Sequence, residues 1–284
     1  MRPILVTGAT GNIGREVVAE LLRNGTSVRA MTRNPDAAQL PRGVEVVRGD
    51  LTVPPDIDDA LDGIDTLFLV WTAPATAVAA AIDRVAANAK RVVLLTSPHQ
   101  TPHPFFQQPN PMAAMFADIE RRIMQSGLRW TFVRPGMFAL NTIGWWAGQI
   151  RSGDVVRWPY ADAETAPIDE RDIAAVAVRA LLDERHDGGD YVITGPESLT
   201  QRRQVEIIGD AIGRKLRFEE IPRERMHEVL PAPQPVLNML LNAWAAAVGQ
   251  PAYMTTNVEK ITGKPARTFR AWASDHAAAF RVST

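Results

Sequence analysis

Residues 4–14 read Ile4-Leu5-Val6-Thr7-Gly8-Ala9-Thr10-Gly11-Asn12-Ile13-Gly14. A short apolar run leads into Gly-x-x-Gly-x-x-Gly, and apolar residues at helical i, i+4 spacing follow. The first glycine permits a tight turn, the second lets backbone approach a pyrophosphate, and the third lets the helix pack closely on the strand. The free amides of the helix N-terminus then hold the anion. Because the glycines lie between a strand and a helix, this stretch predicts a dinucleotide-binding turn over a purely structural one.

Strands and helices alternate beyond this turn. Apolar runs predict strands at residues 27–31, 44–47, 66–70, 92–96 and 130–133, with helices at residues 75–89 and 110–125. This alternation predicts an α/β fold with a doubly wound parallel sheet of Rossmann type. After Pro135 the pattern becomes irregular, which indicates a smaller, mixed, mainly helical lobe. We expect a dinucleotide-binding core at residues 1–150 and a substrate lobe at residues 151–284, interleaved with the core and not independent.

The composition limits the class of partner. The chain has 284 residues, a net charge of -1 and no cysteine. Nucleic acid and anionic membranes require basic surfaces, so neither is an expected partner. The missing cysteines exclude disulfides, thiolate nucleophiles and cysteine-based zinc sites. The longest apolar stretch, residues 67–82, is interrupted by Pro74 and is too short to span a membrane, so we expect a cytoplasmic protein. The sequence does not indicate an oligomeric state.

The residues after the strands predict the cofactor. Ligands of such sheets bind where strands end at the carboxyl edge, and an NAD site places an acidic residue after the second strand. Arg33 stands there instead, and its guanidinium suits a 2′-phosphate, so we expect NADP(H) in preference to NAD(H). A solvated Arg33 with loose selectivity is the alternative. Arg15 is expected to add positive charge, and Asp50 to meet the adenine amino group. The predicted cofactor-binding residues are Gly8, Thr10, Gly11, Asn12, Ile13, Arg33, Asp50, Leu51, Thr72 and Ala73.

The chain resembles the NmrA-like group of atypical short-chain dehydrogenases. The resemblance rests on residues 7–14, Arg33, Gly49-Asp50-Leu51, Arg134-Pro135-Gly136-Met137-Phe138 and Asp172-Ile173-Ala174. It implies a Rossmann-type sheet with a small C-terminal substrate lobe. It also implies one of two functions: NADPH-dependent reduction of quinones and other unsaturated or carbonyl compounds, or binding of the dinucleotide without turnover by a redox sensor.

The proton relay of typical short-chain dehydrogenases is missing. That relay uses Tyr-x-x-x-Lys, in which lysine lowers the pKa of the tyrosine phenol. Tyr160, Tyr191 and Tyr253 are the only tyrosines, and none has lysine four residues later. An alignment on Glu120 places the apolar Met112 and Phe116 at the two positions. A reductase of this sequence must obtain its proton elsewhere.

The loop after the fifth strand offers replacements. Ser97 corresponds to the serine that orients the substrate oxygen in short-chain dehydrogenases, and His99 follows as a candidate proton donor. A proline-stiffened surface loop with solvated histidines is the alternative. Neighbouring aromatic residues suggest a pocket for a small hydrophobic molecule, lined by Trp71, His103, Phe138 and Trp145.

Three further expectations concern nearby side chains. No metal site is expected, because the histidines have no acidic partner nearby in sequence. Trp145 and Trp146 cannot face one way on a helix, so one is expected over the cofactor cleft or at an interface, unless both simply pack the lobe. Asp118 and Glu120 are interpreted as exposed helix charges.

Two functions remain open. The favoured hypothesis is an NADPH-dependent reductase of a small hydrophobic carbonyl, quinone or enone. Strongly electrophilic acceptors need little general acid, which suits the missing tyrosine and lysine. The alternative is a non-catalytic NAD(P)(H)-binding redox sensor or regulator.

Overall fold

The computed structural model describes residues 2–282, which form two compact units. The first unit comprises the residues up to Ser97, together with Met112–Arg134 and Glu170–Tyr191. The second comprises Pro98–Pro111, Pro135–Asp169 and the residues from Val192 onward. Each unit is thus assembled from three chain segments. The assignment of cofactor binding to residues 1–150 and of a substrate lobe to residues 151–284 concerns function and stays a prediction.

Residues 2–282 contain eleven strands. In chain order they are β1 (Ile4–Val6), β2 (Val28–Thr32), β3 (Glu45–Arg48), β4 (Thr66–Val70), β5 (Arg91–Leu95), β6 (Arg129–Pro135), β7 (Val155–Trp158), β8 (Glu164–Thr165), β9 (Gly189–Ile193), β10 (Leu199–Thr200) and β11 (Arg217–Glu220).

A seven-stranded sheet forms the centre of the first unit. Its strand order is β3-β2-β1-β4-β5-β6-β9, and the neighbours from β3 to β6 pair in parallel. The chain order reverses between β1 and β4, which is where open α/β sheets bind their ligands. The predicted Rossmann-type doubly wound sheet is confirmed.

Twelve helices accompany the strands in the described part of the chain. They are α1 (Asn12–Arg23), α2 (Pro54–Leu61), α3 (Val78–Asn88), α4 (Ala113–Gln125), α5 (Asn141–Ser152), α6 (Glu170–Leu182), α7 (Gln201–Ile212), α8 (Met226–Val229), α9 (Gln234–Ala247), α10 (Asn257–Thr262), α11 (Phe269–Asp275) and α12 (Ala277–Phe280). None of them, within residues 2–282, has the length and apolarity needed to cross a membrane.

Helices cover both faces of the sheet in the first unit. On one face, α2, α3 and α4 bury Ile57, Ile82 and Ile119 in a cluster with Leu67 and Leu94. On the other face, α1 packs against α6. Alternate residues of a strand point to opposite faces, so strands buried on both faces are apolar throughout. This is why β1 and β4 appear in the sequence as continuous apolar runs.

Sequence analysis does not predict α2. Its first two residues are Pro54 and Pro55, which break the apolar pattern although proline suits the first turn of a helix. The remaining signal, Ile57 with Leu61 four residues on, is only one turn long. A stripe that short does not distinguish a helix from a loop.

The second unit is mainly helical. Two small sheets accompany its helices, a parallel pair of β7 with β11 and an antiparallel pair of β8 with β10. Thr200 caps α7, since its hydroxyl accepts a hydrogen bond from the Arg203 amide at 3.0 Å. The core includes four fully buried tryptophans, at positions 146, 158, 244 and 272. The predicted mixed, mainly helical character of the C-terminal region is confirmed.

Candidate functional site

The glycine turn between β1 and α1 is tightly constrained. Gly8 has a φ angle of +60°, which an L side chain rarely adopts. Gly14 lies against the same turn: a Cβ added there would be 2.1 Å from the Gly8 carbonyl oxygen. Gly11 precedes α1 and supplies no side-chain cap. Gly8 and Gly14 thus have the conformational and packing roles that their spacing predicts, and the approach of a pyrophosphate to Gly11 stays a prediction.

Two further features make this turn suitable for an anion. The first turn of α1 contains no acidic residue, and its leading amides have no partner within the helix. The Thr7 hydroxyl donates to the Val70 carbonyl at 3.1 Å and accepts from the Val70 amide at 2.8 Å. This pair fixes the turn to the end of β4, at the reversal of strand order. The residues present therefore fit the pyrophosphate of a dinucleotide.

Arg15 stabilises the turn instead of presenting its charge freely. Its guanidinium donates to the Thr10 carbonyl at 2.9 Å, to the Ala38 carbonyl at 2.9 Å and to the Gln39 carbonyl at 2.8 Å. The side chain thereby joins the glycine turn to the segment that follows β2. The sequence position of Arg15 predicts only an additional positive charge, because it carries no information about these carbonyl partners.

Arg33 and Asp50 follow neighbouring strands, β2 and β3. Arg33 is exposed, and no hydrogen bond or ion pair joins its guanidinium to the described residues. The Asp50 carboxylate accepts from the amide and the hydroxyl of Thr52, both at 2.8 Å. These two bonds, with a smaller contribution from the Arg33 charge, lower the pKa of Asp50. The edge thus has a guanidinium available to an anion beside a carboxylate that accepts hydrogen bonds.

The other predicted cofactor residues differ in exposure. Thr72 is exposed and Ala73 is half-buried, directly after β4. Leu51 is only 4% exposed and packs in the cluster with Met31 and Ile57. Trp71 is also buried, and its indole Nε1 has no hydrogen-bond partner among residues 2–282. Because both side chains are buried, they expose little surface to a ligand. Contact of Leu51 with the cofactor and of Trp71 with the substrate therefore stay predictions.

The two candidate catalytic residues belong to different units. Ser97 is the last residue of the first of the three segments that form the first unit. Its carbonyl accepts from Arg134 Nη1 at 2.9 Å. His99 is half-buried in the second unit, and its Nε2 lies 3.3 Å from Nε2 of the Gln100 side chain. Among the described residues, no group of three or more His, Asp or Glu side chains is placed to hold a metal ion.

A buried network of ion pairs and hydrogen bonds contacts the backbone of Ser97 through Arg134. Glu120 and Arg134 are 2% and 4% exposed and form a bidentate pair, with nitrogen–oxygen distances of 2.8 and 2.9 Å. Glu120 also accepts from the Thr96 hydroxyl at 2.5 Å, and Arg134 reaches Asp190 at 2.5 Å. Burial opposes the guanidinium charge, but the bonds to Glu120 and Asp190 outweigh it and raise the pKa of Arg134. The interpretation of Glu120 as an exposed helix charge is wrong, because its partner is brought from the next strand.

The second unit contains a small pocket of its own. Aromatic rings form much of its wall, and a carboxylate and two threonines add polar groups. Its lining is His103, Phe105, Phe106, Gly136, Met137, Glu164, Thr165, Ala166, Thr194, Ala252 and Tyr253. Of the four predicted substrate-pocket residues, His103 lies in this wall. Phe138 is next to lining residue Met137 and pairs with Ile168 in an isolated bridge.

Trp145 and Trp146 share one aromatic cluster. Their ring centroids are 6.1 Å apart, and Trp158 lies 5.9 Å from the first and 6.2 Å from the second. Trp244 packs edge-on against Trp145 at 5.3 Å. Trp146 is fully buried in this cluster, whereas Trp145 is only partly buried, so the expectation that one of the two lies over the cofactor cleft or at an interface stays a prediction for Trp145. Packing within the lobe, the alternative interpretation, describes Trp146.

Residues 8–184 match a family model described as NAD(P)H-binding. The chain belongs to this family. The matched residues begin at Gly8 and include the glycine turn, Arg33, Asp50 and the Glu120–Arg134 pair.

Two relatives that resemble this chain over its whole length are reductases. A (4-alkanoyl-5-oxo-2,5-dihydrofuran-3-yl)methyl phosphate reductase of Streptomyces griseus is 40% identical, covering 98% of this chain and 99% of the relative. An NAD(P)H azoreductase of Xenophilus azovorans is 34% identical, with the same coverage. Both relatives are therefore similar in sequence well beyond the cofactor-binding turn.

The fold that the resemblance to the NmrA-like group implies is confirmed. The structure of the negative transcriptional regulator NmrA in complex with NADP matches with a TM-score of 0.74 at 17% identity, covering 96% of this chain and 94% of that one. At this identity the match shows a shared fold. This chain therefore shares its fold with a regulator, and it is similar in sequence over its whole length to two reductases.

Neither aligned position of the missing relay provides a proton donor. Met112 is 45% exposed, and Phe116 packs against the core of the first unit. Tyr191 has its hydroxyl 3.0 Å from His186 Nδ1, and burial raises the pKa of its phenol. A raised pKa is the opposite of what lysine provides in the usual relay.

Proposed function

We propose that the protein is an NADPH-dependent reductase of a small hydrophobic carbonyl, quinone or enone. The observation that carries this proposal is the glycine turn, in which Gly14 lies so close to Gly8 that only glycine fits. Bound NADPH supplies a hydride. Whole-length similarity to two reductases favours turnover over binding alone.

Each residue of the edge has a proposed part in binding. The turn of Gly8, Thr10, Gly11, Asn12 and Ile13 holds the pyrophosphate with backbone amides. Arg33 pairs with the 2′-phosphate, and Asp50 accepts a hydrogen bond from the adenine amino group. Thr7 and Arg15 touch no ligand in this scheme and hold the turn in place through the bonds described above.

Reduction of the acceptor in this protein depends less on proton transfer than the reaction of typical short-chain dehydrogenases does. Ser97 and His99 are proposed to orient the acceptor oxygen and to provide a proton. Electrophilic acceptors such as quinones tolerate a weak donor, which agrees with the apolar residues at positions 112 and 116. The same substitutions favour the second candidate function, an NADP(H) sensor without turnover.

Turnover distinguishes the two functions. We expect the purified protein to oxidise NADPH, followed by the loss of its absorbance, with at least one acceptor in a panel of quinones, enones and ketones. A protein heated to unfold it is the control for non-enzymatic reduction. Tight NADPH binding without oxidation above this background by any acceptor would reject the reductase and support the sensor.

Replacing Arg33 tests the preference for NADP(H). Loss of a charge-assisted pair to a 2′-phosphate costs roughly 1.5–3 kcal/mol, so Arg33→Ala should weaken NADPH binding about ten- to a hundredfold. NADH lacks that phosphate, and its affinity should change little. Fluorescence titration with both nucleotides measures the two dissociation constants.

Arg23→Ala is the control, because Arg23 lies in the last turn of α1, at the end away from the glycine turn. This variant should change neither dissociation constant. Equal losses for NADPH and NADH with Arg33→Ala would contradict recognition of the 2′-phosphate.

A further inference from the structure

The guanidinium of Arg15 joins two segments that are separated in sequence. Its Nε donates to the Thr10 carbonyl in the glycine turn, whereas Nη2 and Nη1 donate to the Ala38 and Gln39 carbonyls beyond β2. All three nitrogens therefore have partners within the protein, at 2.8 or 2.9 Å. A guanidinium presents its donors in a rigid planar fork, so it fixes the two segments relative to each other.

The segment beyond β2 depends on this support. Gln39 has a φ angle of +45°, in the left-handed region that residues with a side chain rarely adopt. Such a conformation persists only where neighbouring contacts hold it. Because Gln39 is exposed, packing contributes little, and the bond from Arg15 Nη1 to its carbonyl is the contact that holds it. Removing Arg15 should therefore release this segment.

Arg33 lies at the other end of the same segment, in a loop of residues 33–37 that we call the Arg33 loop. This loop begins directly after β2, whose backbone pairs with β1 and β3. It ends at Ala38, which is 2% exposed and whose carbonyl is bonded to Arg15. Both ends of the Arg33 loop are thus fixed. A short loop held in this way loses little further freedom when a ligand binds, which favours affinity.

We propose that Arg15 sets the preference for NADP(H) without touching the cofactor, by holding the Arg33 loop where Arg33 pairs with the 2′-phosphate. The inference rests on the proposed function in one respect: it takes the 2′-phosphate as the partner of Arg33. It requires binding of the dinucleotide and no turnover. Arg15 is then a positioning residue for cofactor choice, and the glycine turn and the Arg33 loop bind the dinucleotide as one surface.

Two other roles of Arg15 lead to different results. If Arg15 stabilised only the glycine turn, its loss would weaken NADPH and NADH alike, because both contain the pyrophosphate. If its charge attracted the 2′-phosphate directly, lysine would serve in its place. The hydrogen bonds favour the positioning role, since one goes to the glycine turn and two go to the residues that end the Arg33 loop.

Fluorescence titration of the full-length protein with NADPH and with NADH tests the inference through the ratio of the two affinities. In Arg15→Ala we expect the ratio of NADPH affinity to NADH affinity to fall about tenfold, because the Arg33 loop would occupy its binding position for only a fraction of the time. The fall should not exceed that in Arg33→Ala, since Arg15 acts through Arg33. An unchanged ratio in Arg15→Ala would overturn the inference.

Arg15→Lys separates geometry from charge. Lysine keeps the positive charge, but its single nitrogen cannot replace a planar fork that reaches three carbonyls. We expect Arg15→Lys to lose most of the preference for NADPH that Arg15→Ala loses. A wild-type affinity ratio in Arg15→Lys would show that charge alone suffices and would contradict the positioning role.

Thr7→Val is the matched control, because it perturbs the glycine turn from its other side. It removes the hydroxyl that bonds to Val70 and leaves the contacts of Arg15 in place. Both nucleotides should bind more weakly by similar factors, so the affinity ratio should remain that of the wild type. A fall in the ratio as large as that of Arg15→Ala would mean that any damage to the turn alters cofactor choice, against the inference.

A double-mutant cycle tests whether Arg15 acts through Arg33. In the Arg33→Ala background, Arg15→Ala should change the affinity ratio by less than about twofold, whereas the effects of independent residues would multiply. Multiplied effects would reject the inference and would indicate that Arg15 contacts the phosphate by itself.

The outcomes separate this inference from the proposed function. Absence of NADPH oxidation rejects only the reductase, because the titrations measure binding. A lower preference for NADPH in Arg33→Ala, with an unchanged preference in Arg15→Ala, rejects only the inference. Equal losses of NADPH and NADH affinity in Arg33→Ala reject recognition of the 2′-phosphate, and the role of Arg15 with it.

Discussion

Gly14→Ala is expected to abolish measurable NADPH binding and to destabilise the fold. A Cβ at position 14 would lie 2.1 Å from the Gly8 carbonyl oxygen and 2.8 Å from the Ala9 Cα. Both atoms belong to the backbone, so relief requires α1 to move away from the turn that we propose binds the pyrophosphate. Overpacking costs typically 1–3 kcal/mol, and we expect about 3 kcal/mol here because no flexible side chain can yield.

Fluorescence titration with NADPH and urea unfolding measure the two effects of this substitution. Gly148→Ala is the matched control. Gly148 lies on α5, where an added Cβ would meet nothing within 4 Å. Alanine there should stabilise the helix by roughly 0.5–1 kcal/mol and leave NADPH affinity unchanged. Wild-type affinity in Gly14→Ala would contradict the proposed role of the turn.

Glu120→Ala should cause the second large effect, on stability. Removing one partner of a buried ion pair leaves the other charge uncompensated and costs about 3–5 kcal/mol. Arg134 would keep only Asp190, whose side chain is 49% exposed, as a charged partner. The Thr96 hydroxyl would lose its acceptor as well. Urea unfolding measures the change in the free energy of unfolding.

Asp118→Ala is the control for this prediction. Asp118 is on the same helix as Glu120 but pairs with Arg121 and Arg122 at the surface, where an ion pair contributes about 0–1 kcal/mol. The double variant Glu120→Leu/Arg134→Met should recover much of the lost stability, because apolar residues can replace a buried pair. Equal effects of Glu120→Ala and Asp118→Ala would show that the network contributes little.

Local patterns predicted the first unit well. Buried parallel strands are apolar throughout, and glycine spacing reports a backbone geometry that no other residue adopts. The sequence therefore located β4 at its observed bounds and the turn at residues 8–14. Glu120 shows the limit of such patterns: in Ile119-Glu120-Arg121-Arg122 it resembles a surface charge. Its burial depends on Arg134, which is fourteen residues away on another element.

The pocket of the second unit was less predictable, for the same reason. Its wall combines residues near positions 103, 164, 194 and 253, which no local pattern connects. Strands β8 and β10 have two residues each, too few to show alternation. The sequence identified His103 through its aromatic and proline-rich surroundings. It gave no signal for Glu164, because a lone glutamate is most often a solvated side chain.

The interleaving of the two units constrains how such a protein can diversify. The chain passes from one unit to the other at residues 97/98, 111/112, 134/135, 169/170 and 191/192. Exchange of residues 151–284 as one block would also remove α6 and β9 from the first unit. A new acceptor specificity is therefore not readily acquired by recombining a whole lobe with an existing cofactor module. Under the proposed function, a new acceptor specificity would arise through individual substitutions within the interleaved units.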